Sequence, residues 1–135
     1  MSDVNARLAE LLAAKEKREH DREEAKAASQ LAELELEERF EADLGPRGVA
    51  FEIIDLTDLG AGFVVVKRGE AVLYRQMKAS KITEDDVQRF VKPQIAFPDK
   101  VEFLEITGTF YAVWTRCFDA LVALHGFKAK EERGK

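Results

Sequence analysis

The sequence predicts an α+β fold: a long N-terminal helix, a small β-hairpin or three-stranded meander, then a C-terminal bundle of three to four helices. Three observations predict it. From Asp3 to about Asp43 the chain is built from helix-favouring residues and contains neither glycine nor proline. The stretch "DLGPRG", residues 43 to 48, then stops that run, because Gly45 suits a helix cap and Pro46 cannot continue a helix. Beyond it come runs of β-branched and aromatic residues, followed by apolar residues recurring at three and four positions. The 135-residue length fits one ordinary domain. The expected organisation is 1–44 as a long charged helix, available for oligomerisation or partner binding, 45–127 as a small α+β domain, and 128–135 as a polar tail.

The first helix has a cap in Ser2 or Asp3 and two apolar patches. Val4, Leu8, Leu11 and Leu12 form one, and Ala27, Leu31 and Leu34 with Phe40 and Leu44 the other. Between them "KEKREHDREEAK" offers a single alanine, so a strict heptad seam is broken in the middle. Two readings follow for this helix. Either it is a solvated helix held by charges such as Glu19 and Glu23 against Lys15 and Arg22, or its patches, Leu8, Leu11 and Leu12 with Leu31 and Leu34, serve self-association or a partner.

After the break, "VAFEIIDLT" and "GFVVVKR" read as the strands of a hairpin turned by "DLGAG". "GEAVLYRQMKAS", residues 69 to 80, suits either a third strand or a short amphipathic helix, with the helix favoured. Thr83 followed by Glu84, Asp85 and Asp86 marks a helix start, and Pro93 its end. Pro98 suits the first position of the next helix, in which Val101, Phe103, Leu104 and Ile106 are the candidate core. Gly108 and Thr109 bend or break the path. Phe110, Val113, Trp114, Cys117, Leu121 and Leu124 then trace the apolar face of a last helix ending at Gly126. Pro93 and Pro98 would set a corner whose apolar wall is Ile95, Phe97, Val101 and Phe103.

Composition excludes several kinds of function. Net charge is −5, and it is concentrated at the front, where 13 acidic and 7 basic residues precede Leu44. That acidic segment would repel nucleic acid and anionic membrane, and no basic tract elsewhere is dense enough to neutralise a row of phosphates. Cys117 is the single cysteine, so no internal disulfide and no thiolate set for zinc is available, in keeping with a cytoplasmic setting. No signal peptide is legible at the N-terminus. The most apolar stretch, Thr109 to Phe127, carries Arg116 and Asp119 near its middle, which argues against a membrane span.

Nor does the sequence assemble catalytic equipment. His20 lies among charges, His125 beside a helix C-terminus, and Cys117 on an apolar face, where a thiol is inert. The acidic runs "EDD" and "ELELEERFEAD" fit a helix start and a solvated helical face, and no ion-binding loop spacing occurs. "DLGAGF" lacks the lysine of a phosphate loop, and "FYAVWTRCF" has core spacing without the basic setting of a stacking platform. Neither enzymatic activity, a metal, nor a cofactor is expected.

The order of parts from Phe51 to Phe127 nevertheless has a counterpart. "GFVVVKRGEAVLYRQMK", "ITEDDVQRFVKPQIAFPDKVEFLEITGTF" and "FDALVALHGF" together resemble the small tail assembly chaperones of long-tailed bacteriophages and phage-like particles. The likeness covers roughly the last 80 residues; it rests on a "GxVVVKR"-like strand, the aromatic-proline step Phe97–Pro98, and a closing element of Ala120, Leu121, Leu124 and Gly126. It implies a non-enzymatic protein, in the host cytoplasm if phage-encoded, that coats the helical tape measure protein and keeps it soluble until tail tube assembles around it. It also implies that aromatics, with Tyr74, Phe97, Phe103, Tyr111 and Trp114 as candidates, contact that helical client. The charged helix before Gly45 departs from the family pattern. It supports an alternative, a structural or adaptor component that oligomerises through this helix.

Overall fold

The computed structural model describes residues 2–69 and 82–126 of the chain. Helix α1 (Ser2–Leu44) runs unbroken through the glycine-free stretch, with Asp3 inside its first turn. It closes where Gly45 takes a φ of 119° and donates its N–H to the Glu41 carbonyl at 3.1 Å. The chain divides into two compact units, Met1–Glu35 and Leu36–Lys135. The division falls within α1, ahead of the glycine-proline break, since Leu36 and Phe40 are the first of its large apolar side chains to be covered.

In the first unit Val4, Leu8, Leu11, Leu12, Leu31 and Leu34 all stand about half exposed or more. The helix surface there is laced by close pairs, Arg7 with Glu10 at 3.4 Å and His20 with Glu24 at 3.1 Å.

The second unit is built on a three-stranded antiparallel sheet, β1 (Phe51–Asp55), β2 (Phe63–Lys67) and β3 (Ile95–Phe97), in the order β1-β2-β3. The hairpin is as the sequence predicts, with a 3₁₀ turn at Thr57–Leu59 in its loop. The third strand is not. It comes from the proline stretch and pairs with β2 across a long connection, whereas a meander would have placed it directly after β2. Residues 70–81, with Tyr74 and the strand-or-helix question for residues 69 to 80, lie outside the described residues.

Both faces of the sheet are covered. Ile54, Leu56, Val64 and Val66 pack with the C-terminal helices, while Phe51, Ile53 and Val65 pack with Phe40 of α1. This explains why β2 reads "FVVVK" without polar alternation: a strand buried on both sides has no solvent face. Arg47 ties the end of α1 to β1, its guanidinium donating to Glu37 at 2.9 Å and to Glu52 at 2.5 Å.

Helix α2 (Glu84–Val91) starts from the expected Thr83, in a full capping box: Thr83 Oγ1 accepts from the Asp86 N–H at 3.2 Å, and Asp86 Oδ2 accepts from the Thr83 N–H at 3.0 Å. A 3₁₀ turn, Lys92–Gln94, carries Pro93. The Phe97–Pro98 bond is cis. Asp99 is the N-cap of α3 (Lys100–Thr109), accepting from the Glu102 N–H at 2.9 Å, so Pro98 precedes the cap and is not the first helical residue. Gly108 lies within α3, which ends at Thr109, so the path breaks at the Gly108–Thr109 step as the sequence predicts. Helix α4 (Ala112–His125) buries Val113, Trp114, Cys117, Leu121 and Leu124 as its spacing predicts, and stops where Gly126 turns left-handed at φ 79°. Val101 and Leu104, predicted for the core, are exposed. Among the described residues no helix is long and apolar enough to cross a membrane.

Candidate functional site

The proline corner does form a concavity. It has a volume of about 390 Å³ and is lined by Lys92, Pro93, Ile95, Lys100, Phe103 and Leu104. Each lining residue is placed by a local device. Pro93 sits in the 3₁₀ turn, which ends as Ile95 enters the sheet. The Asp99 cap starts α3 at Lys100, and the i, i+4 spacing sets Lys100 and Leu104 on one side of that helix. Phe103 closes the floor, only 1% exposed, its ring edge-on to Trp114 with centroids 5.2 Å apart. Lys92 and Lys100 are exposed, so the rim is cationic while the walls are apolar.

The pairing of β3 decides which aromatics reach this groove. Val66 opposes Ile95 but Val65 opposes Phe97, so β3 carries one extra residue against β2 and the ladder bulges there. Ile95 and Phe97 would share a face in a regular strand. The bulge instead leaves Ile95 against the helical core and sends Phe97 to the other face, beside Phe40 at 6.5 Å. The guanidinium of Arg39 lies 5.9 Å from the Phe97 ring centroid.

The aromatics proposed from sequence are thus dispersed, and several are corrected. Trp114 is core, buried in α4 with its ring at a right angle to that of Phe103. Phe103 belongs to the core first and to the groove only as its floor. Phe97 packs in the second cluster, with Phe40 and Phe51. Tyr111 is exposed before α4, and its hydroxyl is raised above its ordinary value by desolvation and then by the neighbouring Glu84 carboxylate. Tyr74 lies outside the described residues. The expected wall of Ile95, Phe97, Val101 and Phe103 is instead Ile95, Phe103, Leu104 and Pro93. The lysines were missed, although the sequence "KPQIAFPDK" places one immediately before the first proline and one two residues after the second.

A buried polar node holds the corner in place. Gln94, 1% exposed, donates from Nε2 to the Phe90 carbonyl at 2.7 Å, and its Oε1 accepts from the Gly69 N–H at 2.9 Å. His125 Nε2 lies 2.8 Å from the same oxygen. An amide oxygen only accepts, so the imidazole must carry its proton on Nε2 and donate. Burial, with Arg68 nearby, holds His125 below its usual value of 6.5. The unfolded chain consequently binds more protons than the folded one as pH falls below that value; stability is complete above about pH 6.5 and declines beneath it. Asp58 and Asp86, whose values are lowered from 3.8 by hydrogen bonds to Arg116 and to Thr83, act in a separate and more acidic window. A thermal melt series from about pH 7.5 to about pH 5 is expected to show a decline in Tm that is shallower in His125→Gln; equal slopes would assign the decline to other groups.

Burial pushes the Cys117 thiol up to about 12, so its thiolate is scarce at neutral pH. Asp58 and Arg116 form a two-pronged pair at 2.8 and 2.7 Å that pins the hairpin loop to α4. Among the described residues no three His, Cys, Asp or Glu side chains converge as metal ligands. The groove's lining, among the described residues, holds two lysines and no His, Cys, Asp, Glu, Ser or Thr.

The fold and site together define a small α+β protein with an apolar, cation-rimmed groove. No protein-family model, curated protein or solved structure matches the chain.

Proposed function

We propose that this protein is a non-enzymatic assembly chaperone of the phage-tail type, which binds helical segments of a tape measure protein in the cytoplasm and keeps them soluble until tail tube closes around them. The observation that carries this reading is the groove at the proline corner: apolar walls with a lysine at either side suit the apolar stripe of an amphipathic helix whose flanks are acidic. The ordered resemblance of residues 51 to 127 supports the same conclusion. The acidic N-terminal segment would keep a coated client soluble and repel nucleic acid.

Coexpression with helical tape measure segments is the test. The wild type is expected to copurify with a client, and Leu104→Asp, at a position already 39% exposed, is expected to weaken that complex at least about tenfold while leaving the fold intact. Unchanged binding by folded Leu104→Asp protein would remove the groove from client recognition.

A second reading has its own observation. Val4, Arg7, Leu8 and Leu11 stand at i, i+3, i+4 and i+7 and, with Asp3, line an open hollow of about 400 Å³, the arrangement that receives a side chain from a facing helix in a coiled coil. It favours a structural adaptor that oligomerises through Leu8, Leu11 and Leu12. In that case Leu8→Asp would dissolve the assembly and Leu104→Asp would not.

A further inference from the structure

We propose that the groove at the proline corner is covered, before any client arrives, by the Leu31–Leu34 face of α1 from a second copy of this chain. Client sharing of the groove rests on the proposed function; the self-contact does not.

The argument begins with what the groove requires. Its walls are apolar and its two charged lining residues, Lys92 and Lys100, are both cations. An occupant must bring apolar side chains flanked by carboxylates. At about 100° per residue, Glu24, Ala27, Leu31, Leu34 and Glu35 of α1 fall within roughly a third of the helix circumference. Leu31 and Leu34 are 58% and 51% exposed, and Glu24 and Glu35 are exposed beside them. The surrounding field has the right sign, since the segment from Glu33 to Asp43 holds six acidic residues against one arginine.

Charge also separates this face from the other leucine patch of α1. The hollow at Val4, Leu8 and Leu11 is lined by one acid and one base, Asp3 and Arg7, so it offers Lys92 and Lys100 no net negative charge. Complementarity therefore selects Leu31–Leu34. Helix-in-groove packing of this kind uses anchors spaced by three or four residues, the spacing these leucines have.

The two surfaces are different patches of one molecule, so each copy offers both a helix face and a groove. Two copies can exchange faces reciprocally about a twofold axis, or successive copies can join in a ring or chain. That property supplies the test. Wild-type protein, weighed by light scattering over a concentration series, is expected to reach at least twice its monomer mass of 15.2 kDa. Leu34→Asp disables the helix face and Leu104→Asp the groove, and each alone is expected to fall to monomer mass. Mixing the two variants restores one intact helix face and one intact groove, so the mixture should form a pair at twice the monomer mass and grow no further.

Three results would overturn the proposal: a monomeric wild type, variants that keep the wild-type mass, or a mixture that stays monomeric while both components are folded by circular dichroism. Loss of assembly in Leu8→Asp with none in Leu34→Asp would move the contact to the N-terminal leucines and also overturn it. Because Leu34 is outside the groove, Leu34→Asp should still bind a tape measure segment. Retained mass with lost client binding in Leu104→Asp would contradict the self-contact while sparing the proposed function.

Discussion

Phe103→Ala is expected to lower the unfolding free energy by about 3–5 kcal/mol, the usual cost of emptying a phenylalanine site in a packed core. The ring is 1% exposed and abuts Trp114, itself in the main cluster, so its removal strips packing contacts from the core beneath the groove. For a domain of this size each kcal/mol moves Tm by about 4–8 °C, and the variant should melt more than about 12 °C below the wild type. Leu104→Ala, one residue along α3 and 39% exposed, is expected to cost under about 1 kcal/mol. Thermal or urea unfolding of the two variants side by side checks both. The contrast matters for function: any loss of client binding in Phe103→Ala would report the fold as much as the groove, whereas Leu104 reports the groove wall. A Phe103→Ala protein as stable as wild type would mean that α3 does not pack as described.

The second large effect is expected at Gln94. Gln94→Ala removes the hydrogen bonds to the Phe90 carbonyl, the Gly69 N–H and His125 together, from a side chain that is itself buried. Losing the partners of buried polar groups costs about 1–3 kcal/mol each before relaxation, so a loss of about 3 kcal/mol is expected. Gly69→Ala attacks the same node from the other side. An added Cβ would stand 2.9 Å from Gln94 Cγ and 3.2 Å from its Oε1, forcing the packed side chain to move. Both variants should lower Tm, and Gln94→Glu should not restore it, because a buried carboxylate lacks the donor that the Phe90 carbonyl needs. Chemical denaturation with the slope compared between variants separates lost stability from a changed folded state. Wild-type stability in Gln94→Ala would show that the node is dispensable.

These two residues illustrate what the sequence carried and what it did not. Helix limits were legible because their causes are local: Gly45 and Pro46 end α1, Thr83 with Asp86 opens α2, and Gly126 closes α4. The core face of α4 followed from its spacing. β3 was not legible, since three residues between prolines present no alternation to read, and its strand character comes from pairing with β2. Gln94 gave no signal at all. A glutamine after a proline looks like a loop residue until the fold brings Gly69 and His125 to it from far along the chain. Of the candidate site, the corner was foreseen but its lining only in part. The bulge that turns Phe97 away from Ile95 is a property of sheet register, and no periodicity in "QIAF" encodes it. Trp114 and Phe103 read from sequence as aromatics for a client, yet large aromatics at helical spacing in a domain this small are needed for its core. The lysines at either end of the corner were visible in the sequence; only their convergence on one groove was not.

The central claim is that a helical client lies in the groove at the proline corner. Amide hydrogen exchange of the full chain, alone and with a bound tape measure segment, tests it most directly. The account predicts new protection from Lys92 to Leu104, strongest at Ile95 and the first turns of α3, with α4 unchanged. Protection confined to residues 4 to 12 of α1, with the corner exchanging as in the free protein, would contradict it.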